Sequence, residues 1–168
     1  KISELQENLI LSHAVGVGKP IPDDITILII LLKIISLSKG YSGIRLTVVQ
    51  RLVDMLNNDC LPIIPCQGSV GASGDLAPLS HMTLPLLGVG DVKLKGEVIS
   101  AKDALKTLGW ESIKLSYKEG LALINGTQFS TAYGVLCMEK IDNLIKVADI
   151  SGALSVEGLT GTDIAFEK

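Results

Sequence analysis

Aromatic side chains are scarce in this chain of 168 residues, which holds two Phe, three Tyr and one Trp. The net charge is −3 and the basic residues are thinly spread. Neither a stacking platform for bases nor a phosphate-tracking stripe is present, which argues against nucleic acid as a partner. Cysteine is sparse as well. Cys60, Cys66 and Cys137 are odd in number and show no C-x-x-C spacing, so neither a disulfide framework nor a structural zinc site is expected, and no metal is assigned. Free thiols suit a reducing, cytoplasmic setting. Long apolar runs are missing too: the stretch 25–32 is preceded by Asp23 and Asp24 and stopped by Lys33, well short of the roughly 20 apolar residues that span a bilayer. No secretory signal opens the chain. Its first residue is not Met and its end, "GTDIAFEK", carries no capping pattern. Residues 1–168 are therefore expected to be one internal fragment of a longer polypeptide.

Familiar nucleotide and hydrolase signatures are also lacking. The Gly18-Lys19 pair is followed by Pro20 and has no glycine five places before Gly18, so there is no phosphate loop. Gly68, Gly71 and Gly74 recur every three residues behind a proline-rich stretch where the sequence predicts a loop and no strand, which argues against the dinucleotide fingerprint. The G-x-S-x-G elbow fails twice, because Gln67 stands where Ser69 would need a glycine and Gly74 comes one place early for Ser73.

What the chain does have is apolar content, 47% against 20% charged residues, more than an average soluble monomer needs, so partner surface is expected to be buried. Helical spacing runs over residues 5–15, until Gly16 and Gly18 stop it. Pro22, Asp23 and Asp24 suit the start of a second helix ending at Gly40. A third covers 44–58, with Val48, Val49, Leu52, Val53 and Leu56 on one face. An ordered loop, 60–75, follows, and Asp75 opens another helix that tolerates Pro78 in its first turn. A small hairpin is expected near 92–99 and a short helix over 101–108, closed by Gly109. Residues 127–157 keep helical spacing without a proline, giving a helix of about thirty residues where 11 to 12 are typical. The class is all-α, a long-helix bundle.

The loop "GSVGASGDLAPLSHM" (68–82) holds the chemistry. If the Gly74 amide nitrogen approaches the Ala72 carbonyl carbon, a five-membered ring can close with loss of water, and glycine is the residue that permits the approach. Loss of a second water from Ser73 leaves an exocyclic methylene. The product, 4-methylidene-imidazol-5-one, is a built-in electron sink. Asp75 can cap the following helix and act as a proton acceptor or orienter during cyclisation.

Together with "NLILSHAVGVG", "SGIR" and "KEGLALINGTQ", this loop resembles the aromatic amino acid ammonia-lyase family, whose blocks occur here in the family's order over nearly the whole chain. The resemblance implies that Ala72, Ser73 and Gly74 form the electrophile, with no dissociable cofactor. It implies that the Asn125 amide faces the ring oxygen or the substrate, stabilising charge as the methylene is attacked. It also implies a homotetramer whose central helices share a bundle and whose active sites draw on more than one chain. At Ser12-His13 the tyrosine-directed members look like His-Leu and the phenylalanine-directed ones like Phe-Leu, whereas Ser-His is the histidine-directed pattern. The implied reaction is elimination of ammonia from L-histidine to trans-urocanate, with Ser12, His13 and Asn125 against the substrate. Action on tyrosine or phenylalanine, or aminomutase chemistry, stays open, as does a helical assembly module without chemistry. In the family the base is a tyrosine upstream of these blocks, and Tyr41, Tyr117 and Tyr133 do not align with it. His81 is expected to be structural.

Overall fold

The computed structural model describes residues 1–167 and divides the chain into two compact units, 1–132 and 133–168. In the first unit, α1 (Ile2–His13), α2 (Asp23–Ser38), α3 (Leu46–Asn57), α4 (Leu76–Thr83), α5 (Ala101–Thr107) and α6 (Glu119–Ile124) surround a core that includes Ile10, Ile29, Ile30, Leu52, Leu79, Met82 and Leu123. Helix α2 packs on α3, while α1, α4 and α6 pack on one another. α7 (Gln128–Gly158) begins in this unit with Ala132 fully buried.

Two small antiparallel sheets accompany the helices. β1 (Val17–Pro20) pairs with β3 (Pro65–Gln67), and β2 (Cys60–Pro62) pairs with β4 (Asp91–Leu94), which pairs in turn with β5 (Glu97–Ser100). The region read from sequence as the loop 60–75 thus contains two strands. Neither is longer than three residues, too short for alternation to register. The expected hairpin is present. Its turn residues Lys95 and Gly96 both have positive φ, 49° and 92°, as a two-residue turn matched to strand twist requires.

Helix ends follow their sequence signals closely. α2 starts after Pro22 and stops before Gly40, whose φ is 80°. Ser100 caps α5 by accepting from the Asp103 amide at 3.1 Å. The "SGIR" block has a structural explanation: Arg45 donates through Nε and Nη2 to Glu119 at 2.8 and 2.7 Å, and the backbone amides of Arg45 and Ser116 donate to the same carboxylate. Burial opposes ionisation of Glu119, yet these bonds hold its carboxyl below the ordinary value. This ion pair ties the start of α3 to α6.

The second unit is the remainder of α7 followed by a short 3-10 turn at Ile164–Phe166. The helix ends with Thr160 in the left-handed region, φ 52°, and with the Gly161 amide donating back to the Val156 carbonyl at 2.8 Å. Among the described residues no helix is long and apolar enough to cross a membrane.

Candidate active site

α1 ends at His13 and α4 begins at Leu76, and the loop between β3 and α4 lies between these ends. Together they line an open cleft of about 360 Å³ whose wall includes Ser12, His13, Ala72, Ser73, Gly74 and Leu76. Ala72 and Ser73 are exposed, whereas Gly74 is buried.

Gly74 has a φ of 113°, and a Cβ built there would lie 2.8 Å from the Gly126 oxygen and 3.0 Å from its nitrogen. Both the conformation and the space require glycine. The Asp75 amide donates to that same Gly126 oxygen at 2.7 Å. The residue types therefore fit the implied ring: a glycine nitrogen free of side-chain hindrance, a serine able to lose its hydroxyl, and an exposed alanine-serine pair on the cleft wall.

Asp75 stands at the N-cap position of α4, but its carboxylate makes no capping bond. This corrects the capping role expected from its position. The fully buried carboxylate instead accepts from Ser69 Oγ at 2.6 Å, from Ser130 Oγ at 2.8 Å and from the Ser130 amide at 2.8 Å. A buried carboxylate needs such donors, and these three outcompete the amides of its own helix. Ser69 and Ser130 were not legible as site residues. Ser130 lies at the start of α7, far from the loop in sequence, and nothing local marks it.

His13 is half-buried on the cleft wall. Its Nδ1–H donates to the Leu9 carbonyl at 2.8 Å, and Ser12 Oγ donates to the same oxygen at 3.0 Å. Carbonyl oxygens only accept, so this bond assigns the proton to Nδ1 and leaves the Nε2 lone pair in the neutral ring. His81, on α4, plays a different part. Its Nε2 accepts the Gly16 amide at 3.0 Å, and burial lowers its pKa below the ordinary histidine value. A side chain on Gly16 would crowd that imidazole and oblige it to shift slightly, since a Cβ there would lie 3.0 Å from Nε2. His81 thus pins the segment after α1 against α4.

Asn125 caps the C-terminus of α6, with its side chain exposed and its backbone carbonyl accepting from Lys33 Nζ at 2.9 Å. Ser12, His13, Ala72, Ser73 and Gly74 thus share one cleft and Asp75 lies buried next to Gly74, whereas Asn125 is not among the residues of the cleft wall and precedes Gly126, whose backbone occupies the space beside Gly74. No group of acidic, histidine and cysteine side chains suited to a metal occurs among the described residues.

The family model "Aromatic amino acid lyase" matches residues 1–168. Histidine ammonia-lyase of Legionella pneumophila (strain Corby) is 51% identical over 166 residues, covering 99% of this chain and 33% of that protein. Among solved structures, histidine ammonia-lyase from Trypanosoma cruzi superposes with a TM-score of 0.88 at 42% identity, over 96% of this chain and 32% of the other. The phenylalanine aminomutase of Pantoea agglomerans superposes with a TM-score of 0.93 at 39% identity, over 99% and 32%. The chain therefore spans about a third of the length of the curated relatives it matches.

Proposed function

The chain belongs to the aromatic amino acid lyase family, and on that premise we propose that it is the electrophile-bearing segment of an ammonia-lyase converting L-histidine to trans-urocanate and ammonia. The observation that carries the proposal is the cleft in which Ala72, Ser73 and Gly74 share a wall with Ser12 and His13. In ring closure the Gly74 nitrogen bonds to the Ala72 carbonyl carbon. The Ala72 oxygen departs as water with protons from the Gly74 and Ser73 amides, and the Ser73 hydroxyl departs with its α-proton as the second water. Once formed, the methylidene-imidazolone supplies an electrophilic carbon that takes electrons from the substrate amine and makes nitrogen a better leaving group.

The chain's own residues do the rest of what this segment can do. Asp75, held by Ser69 and Ser130, fixes the peptide that follows Gly74 and stands ready to accept a proton during cyclisation. His13, anchored through Nδ1, offers Nε2 as an acceptor for an imidazole N–H. Such a polar pairing discriminates strongly, because an apolar competitor leaves it unmet. Asn125 supplies an amide beside Gly126 for charge that develops at the ring. The base and the remaining substrate contacts belong to other parts of the family's length.

A homotetramer with active sites shared between chains, and a cytoplasmic setting consistent with the unpaired thiols of Cys60, Cys66 and Cys137, complete the reading. The test uses a polypeptide of the relatives' full length. Intact mass is expected two waters below that calculated from the sequence, and incubation with histidine, tyrosine and phenylalanine in turn is expected to yield urocanate as the main product. Cinnamate, coumarate or β-amino acids as the main product would instead assign a tyrosine or phenylalanine lyase or an aminomutase, and an unmodified mass would leave a helical assembly module.

A further inference from the structure

Helix α2 buries Ile25, Ile29, Ile30 and Leu37, and among them a lysine, Lys33, that is only 1% exposed. Among the described residues no carboxylate pairs with it. Its ammonium donates to one backbone oxygen, the carbonyl of Asn125, at 2.9 Å. An ammonium taken from water without a counter-ion is costly, and burial pulls its pKa down from 10.5 to about 8. A methionine of similar volume would fill the same space at no such cost, so packing alone gives no reason for a lysine here.

The carbonyl it holds explains the choice. Asn125 C=O and Gly126 N–H are the two ends of one peptide group. That group leads directly into the Gly126 backbone, whose nitrogen and oxygen lie where a side chain on Gly74 would stand and whose oxygen takes the Asp75 amide. Turning the Asn125 peptide would displace the Gly126 oxygen that holds the Asp75 amide, and with it the backbone at Gly74. A cation on the carbonyl also polarises the peptide and strengthens its N–H as a donor. Resting on the electrophile reading above, we propose that Lys33 is a positioning residue for ring formation, acting through the Asn125–Gly126 peptide to hold Gly74 in the conformation from which it cyclises.

The test is the fraction of full-length chains two waters lighter, followed by intact mass at fixed times after a pulse of synthesis, beside circular dichroism and thermal melting. Lys33→Met is expected to fold with a melting temperature close to the parent's, yet to form the ring slower by roughly a hundredfold, the scale of loss that a misplacement of about 1 Å can carry. Lys33→Arg keeps a cationic donor and is expected to stay within roughly tenfold of the parent. Ile30→Val, in the same helix, is expected to lower the melting temperature by the loss of one buried methyl while leaving ring formation unchanged. Ring formation at the parent's rate in a folded Lys33→Met protein overturns the proposal, as does slowing of equal size in Ile30→Val. If Lys33→Met yields no folded protein, Lys33→Leu, which likewise has no donor for the Asn125 carbonyl, carries the same test with the same overturning result. A parent chain at its full calculated mass would sink the electrophile reading itself and this role with it, whereas a fully cyclised parent with an equally cyclised Lys33→Met would remove Lys33 alone.

Discussion

Ser73 is the residue on which the proposed chemistry turns, because its Cβ becomes the electrophilic carbon. Ser73→Ala can close a ring at most with loss of one water, since it has no hydroxyl to eliminate. In the full-length enzyme kcat is expected to fall by several orders of magnitude, with an unchanged helical circular-dichroism spectrum. Activity within tenfold of the parent would reject the electrophile. Ser12 and His13 bear on selectivity. Exchanging them for the His-Leu pair, by Ser12→His with His13→Leu, removes the Nε2 acceptor anchored through Leu9 and is expected to move the ratio of kcat/KM values from histidine toward tyrosine. The two side chains were legible in sequence as a pair, but the tautomer was not. It follows from the Leu9 carbonyl, which only the folded helix places beside Nδ1.

At the scale of elements, the α4 helix is joined to the segment after α1 by one hydrogen bond, from the Gly16 amide to His81. The folded-state pKa of His81 lies below the unfolded value of 6.5 because of burial. The unfolded chain therefore takes up the proton first as pH falls. Stability is fully present above about pH 6.5 and declines as the pH drops below it. Denaturant midpoints measured between pH 7.5 and 5 are expected to fall in the parent and to fall less in His81→Gln, which keeps an acceptor that does not titrate. Equal slopes would mean that His81 carries none of the acid limb. Helices α2, α3 and α7 were readable from their periodicity and their bounding Pro and Gly residues. β1 and β3 were not, because four exposed residues in one and two partly covered residues followed by an exposed one in the other carry no alternating pattern, and their pairing joins segments far apart in the chain.

For the molecule as a whole, the informative feature is how little of α7 is covered within its own unit. Leu144, Ile150 and Leu154 are 63, 62 and 67% exposed, and Ile145 and Val147 lie among them on neighbouring faces. Exposed apolar area of this extent on one helix calls for partner surface, and the proposed bundle shared by four copies would meet that need. Ala148→Glu sets a charge within the same stretch of α7, at a residue that is itself exposed in the single chain. Full-length protein carrying it is expected to elute as smaller species in size-exclusion chromatography with light scattering and, if the proposed active sites draw on neighbouring chains, to lose activity in parallel. A fully active monomer, in parent or variant, would reject the shared assembly.

Sequence by itself determined what chemistry is within reach and which segments are helical. Ala72, Ser73 and Gly74 are covalent neighbours, so the ring needs no long-range contact to bring its atoms into the same loop, and helical periodicity is a local property that survives without a fold. Only the tertiary structure decided which buried polar groups meet. Asp75 takes its partners from Ser69 and Ser130 and not from its own helix, Lys33 reaches the Asn125 carbonyl, and Gly126 closes over Gly74. Apart from the Ser69–Asp75 bond, which lies within one loop, these contacts join residues far apart in the chain. Which donor finds a buried acceptor depends on where helix packing has excluded water and left room, and no local stretch of sequence carries that information.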